Sequence, residues 1–112
     1  MGNTPMEDQE FQNRAAQALE DLHSKLSAAG DEYDFDSDMN AGALVIEFED
    51  PRERFVVSPN SPVKQIWVSA HVQSYKLDWD GTRAAFVLSR TGETLDELMA
   101  SAIRKRIPDF AF

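Results

Sequence analysis

Two segments with helical periodicity stand near the ends of this 112-residue chain and enclose only short, alternating segments between them. That arrangement leaves few folds open. In the first, Phe11, Ala15, Ala18, Leu19, Leu22, Leu26 and Ala29 fall on one stripe at helical spacing. Gly30 is expected to end that helix as a left-handed stop. In the second, Thr94-Leu95-Asp96-Glu97 is a capping box, and Leu95, Leu98, Met99, Ala102, Ile103 and Ile107 form the stripe. Arg104, Lys105 and Arg106 occupy its expected last turn, where the helix dipole favours cations, and Pro108 stops it.

The middle of the chain reads as strands. "ALVIEFED" alternates, with Leu44, Ile46 and Phe48 on one face and Val45 and Glu47 on the other. "RFVVS", "VKQIWVSA", "SYKLDW" and "AAFVLSR" follow, separated by turn signals at Asp50-Pro51, a two-proline connector and Asp80-Gly81. "DEYDFDSDMNAG" reads as acidic and turn-rich, with Asn40-Ala41-Gly42 bending into the first strand. An antiparallel sheet with one apolar face needs a cover, and two amphipathic helices can supply it. The expected fold is therefore α+β: a two-layer α-β sandwich, helix, five or six antiparallel strands, helix, with both helices packed on one sheet face. The other sheet face meets water. Residues 1–112 suit a single domain, with residues 1–8 expected to be disordered or an added leader.

Composition narrows the chemistry. At 42% hydrophobic the chain can build a core without cross-links, and it has no cysteine for disulfides, thiolate sites or nucleophiles. No apolar run approaches the roughly 20 residues of a membrane span, and no targeting signal is read in "MGNTPMEDQE". The net charge is −9 and is unevenly spread. Residues 1–50 hold thirteen acids against Arg14 and Lys25, a balance of −11, whereas the rest hold seven acids against nine basic residues. A pI near 4.5 argues against nucleic acid, because such binders replace counterions with Lys and Arg. An acidic half favours cations or a basic protein surface.

One residue stands out against the pattern. If Ile66 and Val68 point into the core, alternation sends Gln65, Trp67 and Ser69 to the uncovered face. An indole there can simply protect the sheet by packing across strands. It can also anchor a partner, since Trp is enriched at interface hot spots. Leaving it wet forgoes roughly 2 kcal/mol of burial.

"SPNSPVKQIWVSA", "YKLDWDG", "FVLSRTGETLDEL" and "NAGALVIEF" behind an acidic segment together resemble the frataxin family, its bacterial branch above all. The resemblance runs from about Phe11 to Ile107. It implies the same sandwich and a role in iron–sulfur cluster assembly, with weak surface binding of iron and docking on a cysteine desulfurase and its scaffold protein. No organic cofactor, nucleic acid or membrane is expected, the chain without metal is expected to be a monomer, and the location implied is the bacterial cytoplasm. In the family the tryptophan matching Trp67 is an exposed contact with the matching Gln65 beside it. Asn60, Ser69 and Lys76 complete the partner-binding set expected here. There are departures: Ser58, Pro59 and Asn60 replace the usual Asn-x-Gln, Gln73-Ser74 replaces a glycine pair, and Phe86 replaces a tryptophan. Lys76 stands near an arginine of animal members and lacks its bidentate fork.

The family also gathers carboxylates at the end of the first helix and along the first strand. Asp31, Glu32, Asp34, Asp36 and Asp38 fill the latter part, and the resemblance makes them the candidate iron ligands. The positions of the helix-end acids fall on His23, Ser24, Ser27 and Ala28, so Glu20 and Asp21, one turn earlier, are taken as substitutes, with His23 as a further candidate ligand. Carboxylates suit hard cations, and Asp34, Asp36 and Asp38 share a side if the segment is extended. An acidic run is also what an ordinary solvated face looks like. Neither an EF-hand loop nor a His/carboxylate triad is present.

Two rival classes compete with this reading. A small acidic secretion chaperone shares the helix-flanked α+β layout but works as a dimer and leaves the Gln-Ile-Trp strand unexplained. An enzyme, ferroxidase or hydrolase, would need a catalytic constellation, yet His23 and His71 sit in different elements and no Gly-x-Ser-x-Gly turn occurs. A non-enzymatic role is expected.

Overall fold

The computed structural model describes residues 7–33, 35–49 and 52–111. Helix α1 (Asp8–Tyr33) leads into strands β1 (Phe35–Asn40), β2 (Ala43–Phe48), β3 (Glu53–Asn60), β4 (Gln65–Ala70), β5 (Gln73–Asp80), β6 (Ala85–Leu88) and β7 (Glu93–Thr94), then helix α2 (Leu95–Arg104). All strand pairs are antiparallel, and strand order in the sheet equals order in the chain. Both helices cover one face, as the two stripes require.

The centre of the inner face is apolar. Leu44, Ile46, Phe55, Val57, Ile66 and Leu77 are 0% exposed and meet Phe11, Leu22 and Leu26 of α1 and Met99 and Ile103 of α2. Among the described residues no polar or charged residue is buried, so the core holds by burial and packing alone. Phe86 stands edge-on to Phe11 at 5.9 Å and to Trp79 at 5.2 Å. Phe110 in the apolar tail closes the far end against Tyr33 and Phe35.

Three local readings need correction. The acidic segment before Gly42 is a strand, β1, and the two residues Glu93–Thr94 form another, so the sheet has seven strands among the described residues. Aspartate is a poor strand former, and it masked the alternation of Phe35, Ser37 and Met39 on the inner side. Gly30 does not end α1, which runs on to Tyr33. The glycine is there for close approach, because a Cβ at that position would lie 2.6 Å from the carbonyl oxygen of Phe35. Finally, α2 stops at Arg104. Arg106 lies beyond it and folds back to Glu53 at 2.9 Å, with its guanidinium over the Phe48 ring.

The turns and caps follow the local chemistry. Ala41 and Gly42, both at positive φ, make the two-residue turn between β1 and β2. The capping box is formed as read: Thr94 Oγ1 accepts the Glu97 N–H, and Glu97 accepts the Thr94 N–H at 2.9 Å. That hydrogen bond from the Thr94 backbone, with help from the Thr94 side chain and Arg83, holds the Glu97 carboxyl below the usual range against an opposing desolvation. Lys25 of α1 bridges to Asp96 of α2, and the hydrogen bond and charge of Asp96 raise the Lys25 pKa, with burial opposing and Asp21 assisting.

Candidate docking face and acidic edge

Pairing register places the outer side chains in rows. Trp67 lies between Ser58 of β3 and Lys76 of β5, Gln65 between Asn60 and Asp78, and Ser69 between Val56 and Ser74. The five residues expected to meet a partner, Asn60, Gln65, Trp67, Ser69 and Lys76, are thus brought together on the face that carries no helix. Trp67 is 38% exposed while its neighbours in sequence, Ile66 and Val68, are buried.

The indole is held rather than loose. Its Nε1–H donates to Gln65 Oε1 at 3.0 Å, and Gln65 Nε2 donates to Asp78 Oδ1 at 3.0 Å. Lys76 Nζ stands 5.1 Å from the ring centroid, within cation–π range. A side chain already fixed in one orientation loses less entropy on binding. Asp78 is the residue that sequence reasoning missed here. The signal existed, since a hairpin register through His71-Val72 places Asp78 opposite Gln65. Those two turn residues have φ of 52° and 63°, unusual for His and a β-branched side chain, and neither carries the Asn or Gly that marks such a turn.

The acids divide. Asp36 and Asp38 are exposed on β1 and, opposite Glu47 and Val45 of β2, share the outer face with Trp67. Asp31 and Glu32 are exposed in the last turn of α1, just before that strand. Asp34 lies outside the described residues. Glu20 and Asp21 belong to the helix layer; Asp21 accepts from Gln17 at 2.9 Å and lies toward Lys25 and α2. His23 does not join the acids. Its Nδ1 is 2.8 Å from Ser37 Oγ, which ties α1 to β1. Among the described residues no group of three or more His, Asp or Glu side chains is gathered closely enough to hold a metal ion. Glu47 is also engaged by Arg54 at 3.4 Å, an exposed ion pair of small energetic weight.

The comparisons with known proteins bear on the whole chain. The family model described as "Frataxin-like domain" matches residues 4–109. The chain belongs to the frataxin family. Among curated relatives, the iron-sulfur cluster assembly protein CyaY of Dechloromonas aromatica is 38% identical over 76 residues, covering 68% of this chain and 70% of that protein. The CyaY of Azotobacter vinelandii is 25% identical over 96 residues, 84% and 86% of the two chains. In fold, the frataxin of Psychromonas ingrahamii superposes with a TM-score of 0.78 at 24% identity, covering 90% of this chain and 91% of its own. Yeast frataxin superposes at 0.71 with 18% identity over 99% and 96%. Membership of the frataxin family sets aside the secretion-chaperone reading. No described helix is long and apolar enough to cross a membrane.

Proposed function

We propose that this protein serves iron–sulfur cluster assembly as a non-enzymatic docking regulator in the bacterial cytoplasm. It engages a cysteine desulfurase and its scaffold protein through the outer sheet face and carries iron weakly on its acidic edge. The curated relatives named for cluster assembly support the process. The observation that carries the mechanism is the sharing of one face: the anchored Trp67 and the exposed Asp36 and Asp38 all point away from the helices.

The two parts would do different work. Thirteen acids in the first fifty residues make a field that draws a basic surface and is screened by salt. Trp67, with Gln65 and Lys76 around it, gives the apolar contact that slows dissociation. For iron, Asp31, Glu32, Asp36 and Asp38 offer oxygen ligands of the right hardness, spread along an edge rather than closed into a cage. Such a layout fits loose binding at several places. Glu20, Asp21 and His23 lie on α1, and of these His23 is committed to Ser37.

The test measures desulfurase binding by titration at two salt concentrations. Trp67→Ala should weaken it at both, whereas Asp36→Lys with Asp38→Lys should weaken it and flatten its salt dependence. Parent-like affinity in both variants would show that these surfaces are wrongly assigned.

A further inference from the structure

The sheet has an open margin whose backbone chemistry the docking reading leaves unused. β1 is the terminal strand, and among the described residues it pairs only with β2. Because Ala41 and Gly42 form a two-residue turn, the flanking pair Asn40 and Ala43 exchanges both ladder hydrogen bonds. Counting back by twos, Asp38 with Val45 and Asp36 with Glu47 do the same. The intervening residues Ser37 and Met39 therefore turn their N–H and C=O groups outward, away from β2, whereas the Phe35 carbonyl at the start of the strand is closely approached by Gly30 of α1. An exposed row of this kind is a template for another strand.

We infer that β1 takes an extended basic segment of a partner protein as an added strand, with Lys or Arg at alternate positions beside Asp36 and Asp38. Charge decides the occupant. No Lys or Arg occurs between Lys25 and Arg52, and β1 carries both of its acids on the outer face. A second copy of this chain would set aspartate against aspartate, which disfavours self-pairing. A basic strand is attracted instead, and its intervening residues fall beside the half-buried Ser37 and Met39, where small or apolar side chains fit. The inference rests on the acidic edge facing a partner, and adds that main-chain hydrogen bonds, not charge alone, fix the register.

The probe is a short peptide of alternating Lys and Thr, compared with the same peptide N-methylated on the residues that face β1. The expected result is binding at low salt with exchange protection confined to the Ser37 and Met39 amides, and affinity at least about tenfold weaker for the methylated peptide. Ser37→Pro should abolish the protection while Ser37→Ala keeps it, since proline removes an outward N–H and spares the β1–β2 ladder. Equal binding of both peptides, no binding of either, or self-association through β1 overturns the added strand. Should Ser37→Pro keep desulfurase affinity that the Asp36→Lys, Asp38→Lys variant loses, charge docking stands and strand addition falls.

Discussion

The two faces of this sheet are built from the same strands and obey different rules. Toward the helices, Ile66 and Val68 sit in a layer with no fully buried polar residue among the described ones, and their neighbours are chosen by shape. One residue along, Trp67 faces away and is held by an amide, a carboxylate two positions removed and a lysine. The inner face spends its side chains on stability. The outer face keeps an aromatic ring oriented at little benefit to the fold, which is the arrangement of a surface whose return comes on binding.

That contrast can be broken at its strongest point first. Ile66→Ala removes a fully buried side chain and should destabilise by about 2–5 kcal/mol, read from urea denaturation. A loss under about 1 kcal/mol would mean that the inner layer is less tightly packed than its burial indicates. Next is Gly30→Ala, which drives a methyl group toward the Phe35 carbonyl, a backbone atom that cannot rotate aside. The better helix propensity of alanine offsets part of the strain, leaving a net loss of about 1–2 kcal/mol and changed amide shifts in β1.

At the next step down, Thr94→Ala removes the cap of α2 and should cost about 1 kcal/mol at neutral pH. The Glu97 carboxyl is held below its unfolded pKa, so its share of that stability is present above the unfolded value and is lost as pH falls through the folded one. The Thr94 N–H that chiefly holds Glu97 survives in Thr94→Ala, so this acid dependence belongs to parent and variant alike; Glu97→Gln should remove it, and an unchanged acid dependence there would take Glu97 out of the account. Last is Trp67→Ala, whose cost to folding should stay near about 1–2 kcal/mol, short of Ile66→Ala because the ring is only partly covered, while desulfurase binding suffers. A large loss of stability would move Trp67 into the structural class of its neighbours.

Much of this was legible in the sequence because it rests on period and sign. The two stripes, the Thr94–Glu97 box and the strand alternation fixed the layers, and the alternation around Ile66 put Trp67 outside. What was hidden depends on contacts between elements. Gly30 looked like a stop, and only the approach of Phe35 explains it. β1 looked like a loop because its aspartates outweigh its apolar residues in propensity, while pairing with β2 supplies the stabilisation that propensity lacks. The candidate ligands were read as one set along the chain, yet Glu20 and Asp21 lie in the helix layer and Asp36 and Asp38 on the opposite side of the sheet. Linear neighbourhood carries no information about which layer a side chain joins. Asp78 was reachable through register alone, given the turn at His71-Val72, but that turn lacks the residues that usually announce one.

The order of strands in the sheet follows the order in the chain, so each hairpin closes a short loop and can zip onto the last without waiting for distant partners. Only the helices must travel: Lys25 and Asp96 are separated by 71 positions when they meet. The slow part of self-assembly therefore belongs to the joining of the two ends, and the meander that presents Trp67 can take shape before they close over it.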